Sequence, residues 1–295
     1  MKQWRMVGLL LIITLSGQSL SLIRADRAKE LLPLAVGKSY SLPSQVLKLS
    51  ALEFDGLLSD VIFLRTLSFY GKTFERKERP RVQESELDWI YDSLSAASDL
   101  DPYFLDPYYF ANSSLAWEGN RVNEAMILLE KGAQYREWDW LLPFFAGFNA
   151  YYFLHDNSKA AKLLEEAARR PGGSPLLATL SARLSYESNQ TESAVLFLQE
   201  MLLRATDDYS RREYGQRLTA LQHILDLDKA VAEFTRRVGR APTSLNALVD
   251  LGIIRELPRE PYGGGYYLDT ETGTVRSSTD FGKKAATSNF WEVLK

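Results

Sequence analysis

The apolar positions of this chain recur at helical spacing over most of its length, and that spacing sets the reading. Residues 6–23 are uncharged and mostly apolar, with VGLLLIIT at 7–14. A mixed connector with Pro33 and Pro43 follows. From Ala51 the pattern turns amphipathic, with Phe54, Leu58, Val61, Ile62, Leu64 and Phe69 near helical intervals. A charged segment over 75–86 interrupts it and reads as a loop. Beyond that point helix-sized segments succeed one another to about residue 206. A longer stripe of Tyr214, Leu218, Leu221, Ile224, Leu225, Leu227, Val231, Phe234 and Val238 predicts one helix over 208–237, stopped by Gly239 and Pro242. The last residues change character. A short helix over 244–251 closed by Gly252 leads into a glycine-rich turn, and then into a hairpin through Asp269, Thr272, Gly273 and Val275.

The helical segments repeat. Ala125, Leu128, Leu129 and Glu130 align with Ala160, Leu163, Leu164 and Glu165, and again with Ala194, Phe197, Leu198 and Gln199. Tyr109, Phe110 and Ala111 align with Phe144, Phe145 and Ala146. A period near 34 residues built of two helices is the signature of tetratricopeptide-type repeats. Over roughly residues 50–206 the chain resembles that family. Leu94, Ala97 and Pro102 match its pattern in the first repeat, Ala125, Leu129 and Gly132 in the second, and Ala160, Leu164 and Ala167 in the third. The fourth keeps Ala194 and Leu198 but has Met201 where a small residue is expected. The first repeat has a long insertion between its helices, and Phe148 stands where a small residue is usual. The fold class that follows is mainly α: a solenoid of helix pairs, a capping helix and a small C-terminal α+β appendage. The expected organisation is a signal peptide or membrane anchor at 1–23, a linker at 24–45, repeats at 46–206, a capping helix at 207–240 and an appendage at 241–295.

The start of the chain carries an address. Lys2 and Arg5 precede the apolar run, the order of an export signal. Ser19 and Ser21 offer small residues before a cleavage point. The run also just reaches the length of a membrane span, so an uncleaved anchor is the other reading. Both place the body outside the cytoplasm, anchored to the inner membrane with the body in the periplasm, or free in the periplasm if cleaved. The run at 257–267, with Pro258, Pro261, Tyr262, three glycines, Tyr266 and Tyr267, resembles the C-terminal segment of type II secretion pseudopilins. The whole chain resembles bacterial tetratricopeptide-repeat proteins with an N-terminal membrane segment, a resemblance that implies no biochemical activity.

Composition narrows the chemistry. The formal charge of −3, with both signs scattered, lacks the basic stripe that nucleic-acid binding needs. There is no cysteine, which excludes disulfides, thiol catalysis and cysteine metal sites. Only His155 and His223 are available as histidine ligands, and His155 falls at an interhelix turn. The glycines at 263–265 lack the lysine and hydroxyl residue of a phosphate loop and read as a turn. No serine sits in a nucleophile elbow. Carboxylate neighbours such as Asp207 with Asp208 and Glu165 with Glu166 lie on polar helix faces or ends. No catalytic residue, metal or cofactor is expected. Asp60 and Arg65 interrupt an apolar helix and predict a structural ion pair or helix-end contact, or else a polar contact to a partner at the array's N-terminal end.

The binding signal is aromatic density: nearly half the aromatic residues lie between Trp89 and Phe153. Core packing claims most of them. The resemblance implies a subset on each first helix facing a groove: Phe110, Ser114 and Trp117, then Phe145, Asn149 and Tyr152, then Arg183 and Tyr186. That set suits an extended peptide or an amphipathic helix. The expected function is a non-catalytic scaffold binding a protein or peptide partner in the cell envelope, with secretion or pilus assembly the first partner class to test. The alternative is a module holding a small molecule or glycan in the same groove.

Overall fold

Small residues recurring on the second helix of each pair decide how this chain packs. In the computed structural model, which describes residues 44–77, 81–279 and 281, the helices run in consecutive antiparallel pairs. After α1 (Ser44–Ala51), the pairs are α2 (Asp55–Thr73) with α3 (Glu84–Leu100), α4 (Asp106–Ala111) with α5 (Val122–Tyr135), α6 (Leu141–Tyr152) with α7 (Asn157–Arg169), and α8 (Pro175–Glu187) with α9 (Thr191–Arg204). Helix α4 continues without a break into a wider π-helical stretch, Asn112–Glu118. The long α10 (Asp208–Val238) packs on α8 and α9. Last come α11 (Asn246–Asp250) and an antiparallel hairpin of β1 (Tyr266–Leu268) and β2 (Val275–Ser277), with Tyr266 opposite Ser277 and Leu268 opposite Val275. The fold is a mainly helical array of stacked pairs with a small β appendage.

One continuous core runs through it. Ala97, Ala125, Ala160 and Ala194 are fully buried, and so are Leu94, Leu129, Leu164 and Leu198 one turn away. The alanines let the backbones of neighbouring helices approach, and the leucines fill the space between them. Gly132 carries the approach furthest. A Cβ placed there would lie 2.8 Å from the ring of Tyr108, which is fully buried with its hydroxyl donating to the Pro102 carbonyl at 2.9 Å.

Polar clamps tie each pair to the next. The Arg136 Nη1 donates to the Tyr103 carbonyl at 2.7 Å. One repeat on, Arg170 donates to the carbonyls of Ala133, Arg136 and Asp139, each at 2.8 Å. These guanidiniums give carbonyls at helix ends and turns a partner from the neighbouring pair. Ion pairs of Lys131 with Asp99, Arg121 with Asp88, Lys159 with Glu130 and Arg169 with Glu200 add links between neighbouring pairs. The turns within pairs repeat as well: Asn120, His155 and Asn189 all adopt left-handed backbone, at the same place in successive repeats. Asn and His tolerate that conformation better than most residues, so His155 is an exposed turn residue.

Several sequence expectations need correction. The expected linker ends early, because the chain is already helical from Ser44. The amphipathic stretch is two helices, split at Leu52, whose φ is +56°. The expected loop over 75–86 stops where α3 begins at Glu84, since Glu86 in the third helical position accepts a hydrogen bond from the backbone N–H of Gln83 at 2.8 Å. Asp60 and Arg65 are both exposed and form no buried pair; the Arg65 guanidinium lies over the Trp89 ring, 5.8 Å from its centre. The signal or anchor at 1–23, most of the linker and the end of the appendage lie outside the described residues. Among the described residues no helix is long and apolar enough to cross a membrane.

Two tests follow from this packing. Gly132→Ala is expected to destabilise by about 1–2 kcal/mol, because the pinned Tyr108 ring must move. Gly215→Ala, on α10 where a Cβ meets nothing within 4 Å, should stabilise by about 0.5–1 kcal/mol, and calorimetry of the two variants reads the contrast. The second test is pH. The Glu86 carboxylate takes a bidentate bond from Arg76, at 2.6 and 2.7 Å, which holds its pKa below the ordinary value. A lowered folded-state pKa gives stability that is present above the ordinary glutamate pKa of about 4.3 and lost as the pH falls through the lower value. Arg76 is partly exposed, so Glu86→Gln should cost only about 1 kcal/mol at pH 7, a difference that closes in acid. A gap that persists at pH 2 would contradict the assignment.

Candidate functional site

Four aromatic rings meet where the second and third pairs adjoin. Trp117 comes from the last turn of the π-helical stretch, Phe148 and Tyr152 from the end of α6, and Phe153 from the residue after it. Trp117 stacks on Phe148 at 5.9 Å and on Tyr152 at 5.8 Å, with planes within about 21° of parallel. Phe148 and Tyr152 stack at 5.6 Å. Phe153 meets Trp117 edge-on at 5.1 Å and Tyr152 at 4.9 Å. Offset and edge-on arrangements of this kind each contribute about 0.5–1.5 kcal/mol beyond burial. The rings are nevertheless not sealed, since Trp117 is 50% exposed and Tyr152 53% exposed.

The π-helical stretch sets the direction of Trp117. The Phe110 carbonyl receives the hydroxyls of Ser113 at 3.0 Å and Ser114 at 2.7 Å, local bonds that compete with the α-helical ladder. The Gly119 N–H then bonds back to Ser114 at 3.0 Å, five residues away. A wide turn changes the angular register of every side chain after it. Below the rings, the Asn149 Nδ2 donates to the Asn112 Oδ1 at 2.7 Å, a buried bond joining the first helices of consecutive pairs.

The other residues of the predicted groove lie elsewhere. Ser114 and Asn149 are fully buried. Phe110 is half-buried, edge-on to Phe63 and Tyr70, and Phe145 is half-buried against Tyr109. Arg183 is largely covered, with its Nε donating to Glu187 at 2.8 Å. Tyr186 lies beneath the appendage: Phe281 packs on its ring at 4.9 Å and the Arg276 guanidinium sits 5.0 Å from its centre. The structure thus brings Trp117 and Tyr152 together and adds Phe148 and Phe153. Phe148 had a signal in the sequence, as the bulky residue at a small-residue position. Phe153 had none, since it falls past the end of its helix.

The appendage is held by charges buried under it. The Arg217 guanidinium lies between the rings of Tyr262 at 5.3 Å and Phe281 at 4.9 Å. It donates to the Tyr262 hydroxyl at 3.0 Å and to the Phe281 carbonyl at 2.8 Å, and burial pulls its pKa down. The Asp228 carboxylate accepts from the Val275 N–H at 2.8 Å, and burial raises its pKa. Glu260 organises the glycine turn, accepting from the N–H groups of Tyr262 and Gly264 and from the hydroxyls of Ser277 and Thr279.

These polar groups are structural. His223 meets the Tyr266 hydroxyl at 3.1 Å, Asp207 caps α10 through the Ser210 N–H at 2.8 Å, and Glu165 and Glu166 pair with Arg169 and Arg170. An open cavity of about 590 Å³ beside Gln134, Glu137 and Glu166 is lined by the same two arginines, already engaged. Among the described residues no cluster of three His, Asp or Glu side chains could hold a metal. What the aromatic surface can do chemically is bind, through ring faces and edges. Comparison with protein-family models, with curated proteins and with solved structures finds no match to this chain.

Arg217→Ala should loosen the appendage, costing on the order of 2–3 kcal/mol of local stability. Limited trypsin digestion is expected to cut at Arg276 several-fold faster in the variant, with the helical circular dichroism of the array kept. Unchanged cleavage would show that other contacts hold the appendage.

Proposed function

We propose that this protein is a non-catalytic scaffold that binds a protein or peptide partner on the aromatic face around Trp117. The exposed rings of Trp117 and Tyr152, stacked on half-buried Phe148, carry this reading. Tryptophan and tyrosine dominate binding hot spots because they offer large rigid area at small entropy cost. Rings already held against one another by Phe153 and the Asn112–Asn149 bond lose little freedom when a partner arrives. The apolar run at 6–23 supports a place at the periplasmic face of a bacterial inner membrane, in a secretion, pilus or other envelope assembly. The repeat period supports a tetratricopeptide-type groove as the frame. A small planar molecule or glycan is the second reading, favoured by the same open ring faces.

Crosslinked capture from membranes, with the full chain and a Trp117→Ala, Tyr152→Ala variant, tests the scaffold. Loss of two hot-spot rings should weaken capture of a defined partner by about a hundredfold, with the helical circular dichroism of the free protein kept. Equal capture by both proteins would sink the assignment of this face. Saturable glycan binding with no protein captured would select the second reading.

A further inference from the structure

Helix α2 has two stripes on opposite sides. Ser59, Phe63, Thr66 and Thr73 form the buried one, where α2 packs against α3. Phe54, Leu57, Val61, Leu64, Ser68 and Gly71 form the other. The first four are each more than half exposed, and a Cβ at Gly71 would meet nothing within 4 Å. Their spacing alternates three and four residues without exception, the seam of a two-stranded coiled coil. Phe54, Val61 and Ser68 take its first core position, and Leu57, Leu64 and Gly71 its second. Val61 at the first position, with Leu57 and Leu64 at the second, is the combination that favours two strands in a parallel coiled coil.

The charges beside the seam agree. Asp60 flanks it on one side and Arg65 on the other, at the two positions whose side chains cross between helices in a parallel pair. Asp60 has no ion pair among the described residues, and Arg65 reaches only the Trp89 ring. In a parallel pair Asp60 of each copy meets Arg65 of the other, twice by symmetry. In an antiparallel pair like flanks face like, and the two never meet. The position in the array fits as well. Its far end is covered by α10, whereas this end presents apolar side chains that no described residue covers.

We propose that the Phe54–Gly71 stripe is a self-association surface, on which a second copy of this chain docks its own α2 in parallel register. The inference is independent of the aromatic face, which lies on later pairs.

The chain has no cysteine, so single introduced cysteines report the contact cleanly. In the full-length protein in mild detergent, Leu57→Cys and Gly71→Cys should each couple to themselves under gentle oxidation. The yield should be about tenfold above that of Leu203→Cys, a position 89% exposed on α9. Both seam positions coupling marks the parallel register. By sedimentation, Asp60→Lys should weaken the dimer about tenfold, and Asp60→Arg combined with Arg65→Asp should restore it. Leu57→Lys with Leu64→Lys should be monomeric with unchanged helical circular dichroism, since both side chains are exposed in the single copy. A monomer at every concentration overturns the proposal, as when residues 1–43 or detergent cover the stripe. So does a dimer that survives Leu57→Lys with Leu64→Lys, which would place the contact in the N-terminal apolar run.

Discussion

A helix pair of this kind cannot bury its own apolar face, and the rest of the molecule follows from that. Each pair needs the next one, and the next must come close enough to exclude water. Closeness is limited by the smallest residue at the contact. Ala125, Ala160 and Ala194 therefore recur at the repeat period, as do Ala97, Gly132 and Ala167, and Gly132 stands where the Tyr108 ring leaves no room even for a methyl group. The polar clamps come second in this logic. Arg136 and Arg170 reach carbonyls that the close approach would otherwise strand. They occupy equivalent places because the geometry they serve is itself repeated.

An array with this constraint has a problem only at its ends. At the C-terminal end α10 solves it, burying Leu221, Ile224 and Leu227 against the last pair. The appendage then folds back over α8 and α10 and covers Tyr186. This divides the face of the first helices into a closed half and an open half. The open half holds Trp117 and Tyr152, and the closed half the Arg183–Glu187 pair.

The array was legible in the sequence because its cause is local and periodic. The second helices could be placed from alanine and leucine alone, and α10 from its start beside Asp207 and its stop at Gly239, whose φ of +76° only glycine adopts freely. What escaped the sequence depends on contacts between distant residues or on a break in the period. Tyr186 is buried by residues some 90 positions away, which no repeat alignment contains. Ser114 and Asn149 keep their places along their helices but turn inward. The π-helical stretch changes the register after Asn112, so a groove position inferred from an α-helical pattern points elsewhere. Asp60 and Arg65 looked like buried charges only because the apolar residues around them were assumed to be buried too.

That last inversion has a general physical basis. Apolar residues at helical spacing predict that a face will be covered, and they do not say by what. On α2 a stripe of Ser59, Phe63, Thr66 and Thr73 and an apolar one through Leu57, Val61 and Leu64 lie on opposite sides, and α3 can cover only one of them. A sequence reader who assigns both to the core must then bury the charges lying between them. Assigning one stripe to α3 and the other outward leaves Asp60 and Arg65 at the margin of the second stripe. Charges there stay solvated in the single chain and carry no desolvation cost. The same residues therefore count against a fully buried helix and in favour of one with two partners.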